Sequence, residues 1–405
     1  MRNTFLGYRD VCRNPGFRRF WLGVLVSRSG DALTAVALAW LVLDLAGPAQ
    51  LGVVLLCAGV PRVVTGPVAG RLLDRFPPHL LLGWDNALRS ALVAVIPVLA
   101  WAGALRIGHV YVVVLLCAAL SAVTEVGEGV LVPRLVEDAE LESANSLLSL
   151  NWEVAYVVAP PVAGLAVGVV GAEAVLVLDA ASFAVTSVLC FGLPRLRAVV
   201  SAGRGPAGFG VLFRLPVALV LSLSATGFLF LSGVVEVFHP VFVREVLGAG
   251  PVAFGLVLTA AGVGGVVGAV VGPPVFGRVP ERWRVSAAIG CAAPVFGLFA
   301  VVDGVVATVV VAGVASFLWA PYYAVERSRF QRSVPDEVRG RVTGARTALC
   351  ALGFPVGSAC GGLLLAGVDV STAALVVAGA FVLLAFLPLL APNRAFTATA
   401  ADSAR

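Results

Sequence analysis

The chain has 405 residues, of which 60% are apolar and only 13% charged, and its mean hydropathy is +0.99. Soluble domains carry about 25% charged residues, so this composition cannot clothe a water-exposed surface and excludes a soluble globular protein. All 28 basic residues are arginine; without lysine there is no phosphate-loop lysine, no Schiff base and no Ser-Lys nucleophile.

Crossing a bilayer core of about 30 Å takes roughly 20 helical residues. Twelve such spans are predicted in chain order, at 20–44, 50–73, 80–103, 109–132, 145–170, 173–193, 214–238, 251–275, 285–302, 304–326, 341–366 and 371–391. Turn residues such as Ala46-Gly47-Pro48, Phe76-Pro77-Pro78 and Asp303-Gly304 mark the short connections. One linker, 194–213, is longer. It separates a six-helix bundle at 20–193 from a second at 214–391, with an N-terminal segment at 1–19 and a tail at 392–405 expected in the cytoplasm. The first span is interrupted by Arg28 and Asp31 and lacks a small-residue cleavage site, so it reads as a retained helix.

With the N-terminus inside, 22 arginines fall on the cytoplasmic side and two, Arg106 and Arg244, outside. This is the positive-inside pattern, and it accounts for the basic balance without nucleic acid. The seven cysteines are scattered, with no C-x-x-C and no neighbouring histidine. They read as small buried hydrophobes, and neither a metal nor a cofactor is expected.

An ionisable residue at mid-bilayer costs roughly 2.5 to 3.5 kcal/mol on insertion scales, so each one implies a partner or a task. Arg28 and Asp31 share a face of the first span, with Arg62 at similar depth in the second. Glu125 and Glu128 are three residues apart in the fourth, and Glu153 follows Asn151 and Trp152 in the fifth. These six charged residues are the candidates for proton coupling, against the plainer reading of neutralised structural pairs. Asp85 and Arg89, spaced i, i+4 in the third span, read as a structural pair. The second bundle offers Arg346 and the aromatics Phe228, Trp319, Tyr322, Tyr323 and Phe354, which with Asn151 and Trp152 are candidates for a substrate cavity.

Two internal echoes point to duplication. Pro67-Val68-Ala69-Gly70-Arg71 is matched by Pro274-Val275-Phe276-Gly277-Arg278, 207 residues later. Val136-Glu137-Asp138 is matched by Val334-Pro335-Asp336. Paired six-helix repeats are an architecture of secondary transporters. The segment Gly70-Arg71-Leu72-Leu73-Asp74-Arg75 resembles the loop motif after the second helix of the major facilitator superfamily, although Pro77, Pro78 and His79 depart from it. Ala155, Ala159, Pro160, Ala163 and Gly164 are similar to that family's span-five antiporter signature, with alanine in place of three glycines. Asn14-Pro15-Gly16-Phe17-Arg18, Ser29-Gly30-Asp31 and Pro335-Asp336-Glu337-Val338-Arg339-Gly340-Arg341 resemble the branch that holds the bacterial enterobactin exporter and macrolide efflux proteins.

The resemblance implies an all-α membrane fold of twelve helices in two pseudo-symmetric six-helix bundles. It implies a cytoplasmic gate at Gly70, Arg71, Asp74 and Arg75, with Gly277, Arg278, Arg282, Arg339, Gly340 and Arg341 as the other gate residues. Span five would bend at Pro160. The expected activity is export of a small hydrophobic compound in exchange for protons, by a monomer in a bacterial inner membrane with both termini cytoplasmic. Its partners would be that compound, protons and lipid. A nutrient importer and a non-transporting scaffold or sensor are the alternatives, and enzyme activity is not expected.

Overall fold

The computed structural model describes residues 11–137, 140–194 and 208–391. The tails and most of the linker, with Arg195, Arg197 and Arg204, lie outside the described residues, as do the side chains of Arg62, Trp152 and Glu153.

Helices α1 (Pro15–Leu45), α2 (Pro48–Arg75), α3 (Pro78–Trp101), α4 (Ile107–Leu135), α5 (Leu141–Val170) and α6 (Ala172–Phe191) form the first series. A helical turn at Phe209–Leu212 then leads into α7 (Pro216–Val241) and α8 (Pro251–Phe276). The remainder is α9 (Glu281–Gly290), α10 (Ala292–Leu298), α11 (Val305–Trp319), α12 (Pro321–Arg332), α13 (Arg339–Cys350), α14 (Gly353–Gly367) and α15 (Val370–Phe386). Among the described residues, ten helical stretches are long and apolar enough to cross a membrane. Of the other two predicted spans, the fifth corresponds to α5, a continuous helix of 30 residues, and the ninth is divided into α9 and α10.

The boundaries follow local chemistry. α1 starts five residues before the predicted span because Asn14 Oδ1 accepts the backbone N–H groups of Gly16 and Phe17, with Pro15 in the first turn, where its missing donor costs nothing. Each divided span carries proline four residues past a carbonyl near the break: Pro294 after Gly290, Pro321 after Phe317 and Pro355 after Ala351. Proline has no N–H to return to that carbonyl. Pro160 and Pro161, by contrast, lie inside an unbroken α5.

The chain divides into two compact units. One comprises the described residues of Met1–Gln50, Cys57–Ala202 and Gly250–Leu256; the other comprises those of Leu51–Leu56, Gly203–Ala249 and Val257–Arg405. In the first, α3 and α1 pack chiefly on α6. The small face of α5 is buried at Ala155, Ala159 and Ala163, and Gly164 sits against Pro251 and Gly255 in the first turns of α8. In the second, α14 packs on α7 through glycines one turn apart: Gly353 faces Thr226, Gly357 faces Phe230 and Gly361 faces Val234. A side chain at any of them would collide with the α7 backbone or its first side-chain atoms. The cysteines correct the sequence reading: all seven are free thiols, but only Cys190 is buried, and Cys360 is exposed. Nothing in a cysteine's own sequence neighbourhood sets which face of an apolar helix carries it.

Candidate functional site

The charged residues of the first unit converge where α1, α3, α4 and α6 meet. The predicted Asp85–Arg89 pairing is replaced by longer-range contacts. The Arg89 guanidinium donates to Asp31 Oδ1 at 3.1 Å, with the arginine side chain 7% exposed and the aspartate 42%. Its plane lies over the ring of Phe183, 4.0 Å from the centroid, which suits a poorly hydrated cation. Asp85 turns away to accept a 2.6 Å hydrogen bond from the Thr124 hydroxyl of α4, leaving its Oδ1 buried with no partner. Local spacing favours an i, i+4 pair, but here an aspartate from α1 satisfies the arginine.

A third acid, Asp179 of α6, completes the cluster and escaped the sequence reading. Thr34 Oγ1 donates to its Oδ2 at 2.6 Å and Ser182 Oγ to its Oδ1 at 3.2 Å, and the residue is 1% exposed. Gly30 makes this approach feasible: a side chain there would strike the Asp179 carboxylate and the Ser182 hydroxyl. Only its being the one acid of α6 beyond the first turn could have flagged Asp179 in advance.

One turn before Asp31, Arg28 donates to Glu128 Oε1 of α4 at 3.0 Å, with both side chains partly exposed. Glu125, three residues earlier on α4, is exposed. Asn151 is buried and donates through Nδ2 to the Trp21 carbonyl at 3.3 Å, so it braces α5 on α1.

In the second unit, the 198-residue separation that relates Val136 to Val334 also relates Glu128 to Glu326. Glu326, on α12, accepts from Arg346 of α13, with side chains 3% and 19% exposed. Arg346 lies over Phe330 at 4.5 Å. The other carboxylate oxygen of Glu326 and the Tyr322 hydroxyl, one turn away, have no hydrogen-bond partner.

The aromatic candidates separate into core and surface. Phe228 is fully buried and stacks on Tyr322, itself buried, with centroids 4.0 Å apart. Tyr323 is exposed, and Trp319 and Phe354 are partly buried. Trp319 and Tyr323 each meet the Phe228 ring edge to face.

Gly70, Arg71, Asp74 and Arg75 occupy the last turns of α2 and Gly277 and Arg278 the turn after α8, while Arg339, Gly340 and Arg341 open α13. Arg282 lies over the Trp283 ring. Among the described residues, no group of three or more His, Cys, Asp or Glu is placed to hold a metal ion.

The chain belongs to the Major Facilitator Superfamily, whose sequence profile matches residues 20–350. It is a multi-pass membrane transporter, in a family of small-molecule carriers rather than enzymes. It is 27% identical over 373 residues to an uncharacterised MFS-type transporter, y4rN, of Sinorhizobium fredii, covering 89% of this chain and 91% of that one. It is likewise 27% identical over 378 residues to the multidrug efflux pump Tap of Mycobacterium tuberculosis, covering 89% and 88%. Among solved structures, a mutant of the nucleoside transporter NupG superposes with a TM-score of 0.77 at 16% identity, covering 92% of this chain and 98% of that one. A bacterial homologue of the iron transporter ferroportin, in an inward-facing state, gives 0.75 at 17%, covering 92% and 97%. At those identities the likeness carries the fold alone.

Proposed function

We propose that the chain is a proton-coupled exporter of small hydrophobic compounds, working by alternating access in a bacterial inner membrane with both termini in the cytoplasm. The observation that carries the proton assignment is the ion pair between the 42% exposed Asp31 and the buried Arg89, and we read the exposed side of Asp31 as opening to water. An acid reached by water can take up a proton. Once neutral it no longer holds the arginine, and that change can bias a two-state equilibrium between inward and outward openings. Arg28, Glu128 and Glu125 form a second, partly exposed charged group on α1 and α4 and are assigned to the same coupling, as are Arg62 and Glu153 from the sequence.

Three observations support export of an apolar compound. The span-five signature residues lie on a buried small-residue face, the accessible aromatics Tyr323, Trp319 and Phe354 can line a hydrophobic path, and two of the relatives above are transporters, one of them named a multidrug efflux pump. The arginine distribution supports the orientation. Gating is assigned to the charged ends of α2 and α13 and the turn after α8, and the transport unit to the monomer.

The test uses inside-out vesicles carrying the full chain, an imposed pH gradient and ethidium as the transported probe. Gradient-driven ethidium uptake is expected in the wild type and should fall at least tenfold in Asp31→Asn, within the 5- to 150-fold range of typical coupling energies. Full gradient dependence in the triple variant Asp31→Asn, Glu125→Gln, Glu153→Gln would reject these residues as the coupling group.

A further inference from the structure

We propose that Asp179 is an inner proton-binding group, and that Arg89 is a counter-ion shared between Asp179 and the water-facing Asp31. This rests on the proton-exchange reading above and adds a residue on α6, behind α1, that the coupling assignment does not include.

The argument begins with charge balance. Around Arg89 stand Asp31 on α1, Asp85 on α3 and Asp179 on α6, with Cys117 of α4 also in electrostatic reach. One guanidinium opposes three carboxyls, and it bonds Asp31. Asp179 is closed off from solvent, and its two oxygens meet only the hydroxyls of Thr34 and Ser182. An ionised carboxylate held by neutral donors in a low-dielectric interior is costly, and a protonated one is not.

Geometry supplies the alternative partner. Arg89 rests on Phe183, four residues beyond Asp179 and therefore on the same face of α6. Asp179 is already in electrostatic reach of Arg89, and a turn of the arginine side chain from Asp31 toward it is the movement the proposal requires. Gly30 presses α1 directly against the Asp179 carboxylate, Asp31 is the next residue along α1, and the two acids are in electrostatic reach of each other.

The exchange conserves charge. In one arrangement Asp31 is ionised against Arg89 and Asp179 carries the proton; in the other Asp179 is ionised against Arg89 and Asp31 carries it. One proton changes acid, one guanidinium changes partner, and no bond to carbon is made or broken. Asp31 then trades that proton with water.

The experiment is infrared difference spectroscopy of the purified full-length protein in lipid across a pH titration, following the carbonyl stretch of protonated carboxyl groups. The wild type should retain an acid carbonyl band at neutral pH, and Asp179→Asn should delete it. Thr34→Val, which removes one hydrogen bond and leaves the acid, should shift the band in frequency without abolishing it. Asp31→Asn frees Arg89 for Asp179 and should lower the protonated population at neutral pH about tenfold or more, the effect of a newly adjacent opposite charge.

An unchanged band in Asp179→Asn overturns the proposal. So does a band that vanishes in Asp179→Asn but ignores Asp31→Asn, because Asp179 would then be a structural acid that shares no counter-ion. Should Asp179→Asn fail to fold, the Thr34 and Asp31 variants decide. Wild-type vesicles that move ethidium independently of the pH gradient would sink the antiport reading alone and leave the infrared result standing.

Discussion

Arg89 and Arg346 are each bonded to one acid and each rest on a phenylalanine, but their burial runs in opposite senses. In the first unit the cation is hidden and its aspartate is the more exposed partner; in the second the glutamate is hidden and its arginine is the more exposed partner. A buried ion pair is limited by whichever member water cannot reach. A hidden arginine cannot shed its charge, so the first unit must always keep an acid beside it, and it keeps three. A hidden glutamate can be neutralised by a proton, and among the described residues a single acid, Glu326, is bonded to the second unit's arginine.

Removing the two cations tests that contrast most directly. Arg89→Gln removes the cation shared by Asp31, Asp85 and Asp179 together with its packing on Phe183, and should cost about 3 kcal/mol, the low end for breaking a buried pair because the acids can take up protons, read as a lowered melting midpoint in detergent. Gly30→Ala should come next, at roughly 2 kcal/mol of overpacking, because its methyl group would meet Asp179 and Ser182. Arg346→Gln should cost less, about 1 kcal/mol, since Glu326 can take up a proton. Equal losses for Arg89→Gln and Arg346→Gln would break the comparison.

The smallest effect is expected outside both clusters, at Asp369, the exposed cap of α15. The Thr372 backbone N–H and hydroxyl hold its carboxyl below the ordinary carboxylate range. A group shifted in that direction stabilises the fold above its unfolded value, and the contribution fades as pH falls through its folded one. Asp369→Ala should therefore lower the melting midpoint slightly at neutral pH and leave it unchanged in acid.

The long apolar runs made the helices legible, because hydropathy is additive along a chain, and the duplicated motifs made the two-part organisation legible. Pairing was less so. Asp85 and Arg89 have the spacing of a helical pair, yet Arg89 bonds an acid 58 residues earlier and Asp85 a threonine 39 residues later. Asp179 and Thr34 are 145 residues apart, and nothing in either neighbourhood announces the other. Aromatics in spans serve as cavity walls or as packing, and the burial of Phe228 and Tyr322 against each other was not legible from spacing alone.

The prolines that divide the helices of the second unit have a mechanical consequence. Flexing an intact helix means stretching hydrogen bonds that have no aqueous substitute inside a bilayer. At Gly290, Phe317 and Ala351 the usual helical bond was never formed, so deformation there starts with one fewer bond to strain. In the second unit these three missing bonds coincide with breaks between helices, whereas in the first unit Pro97 and Pro160 remove the same bond inside helices that stay continuous, so any yielding there is a bend and not a hinge.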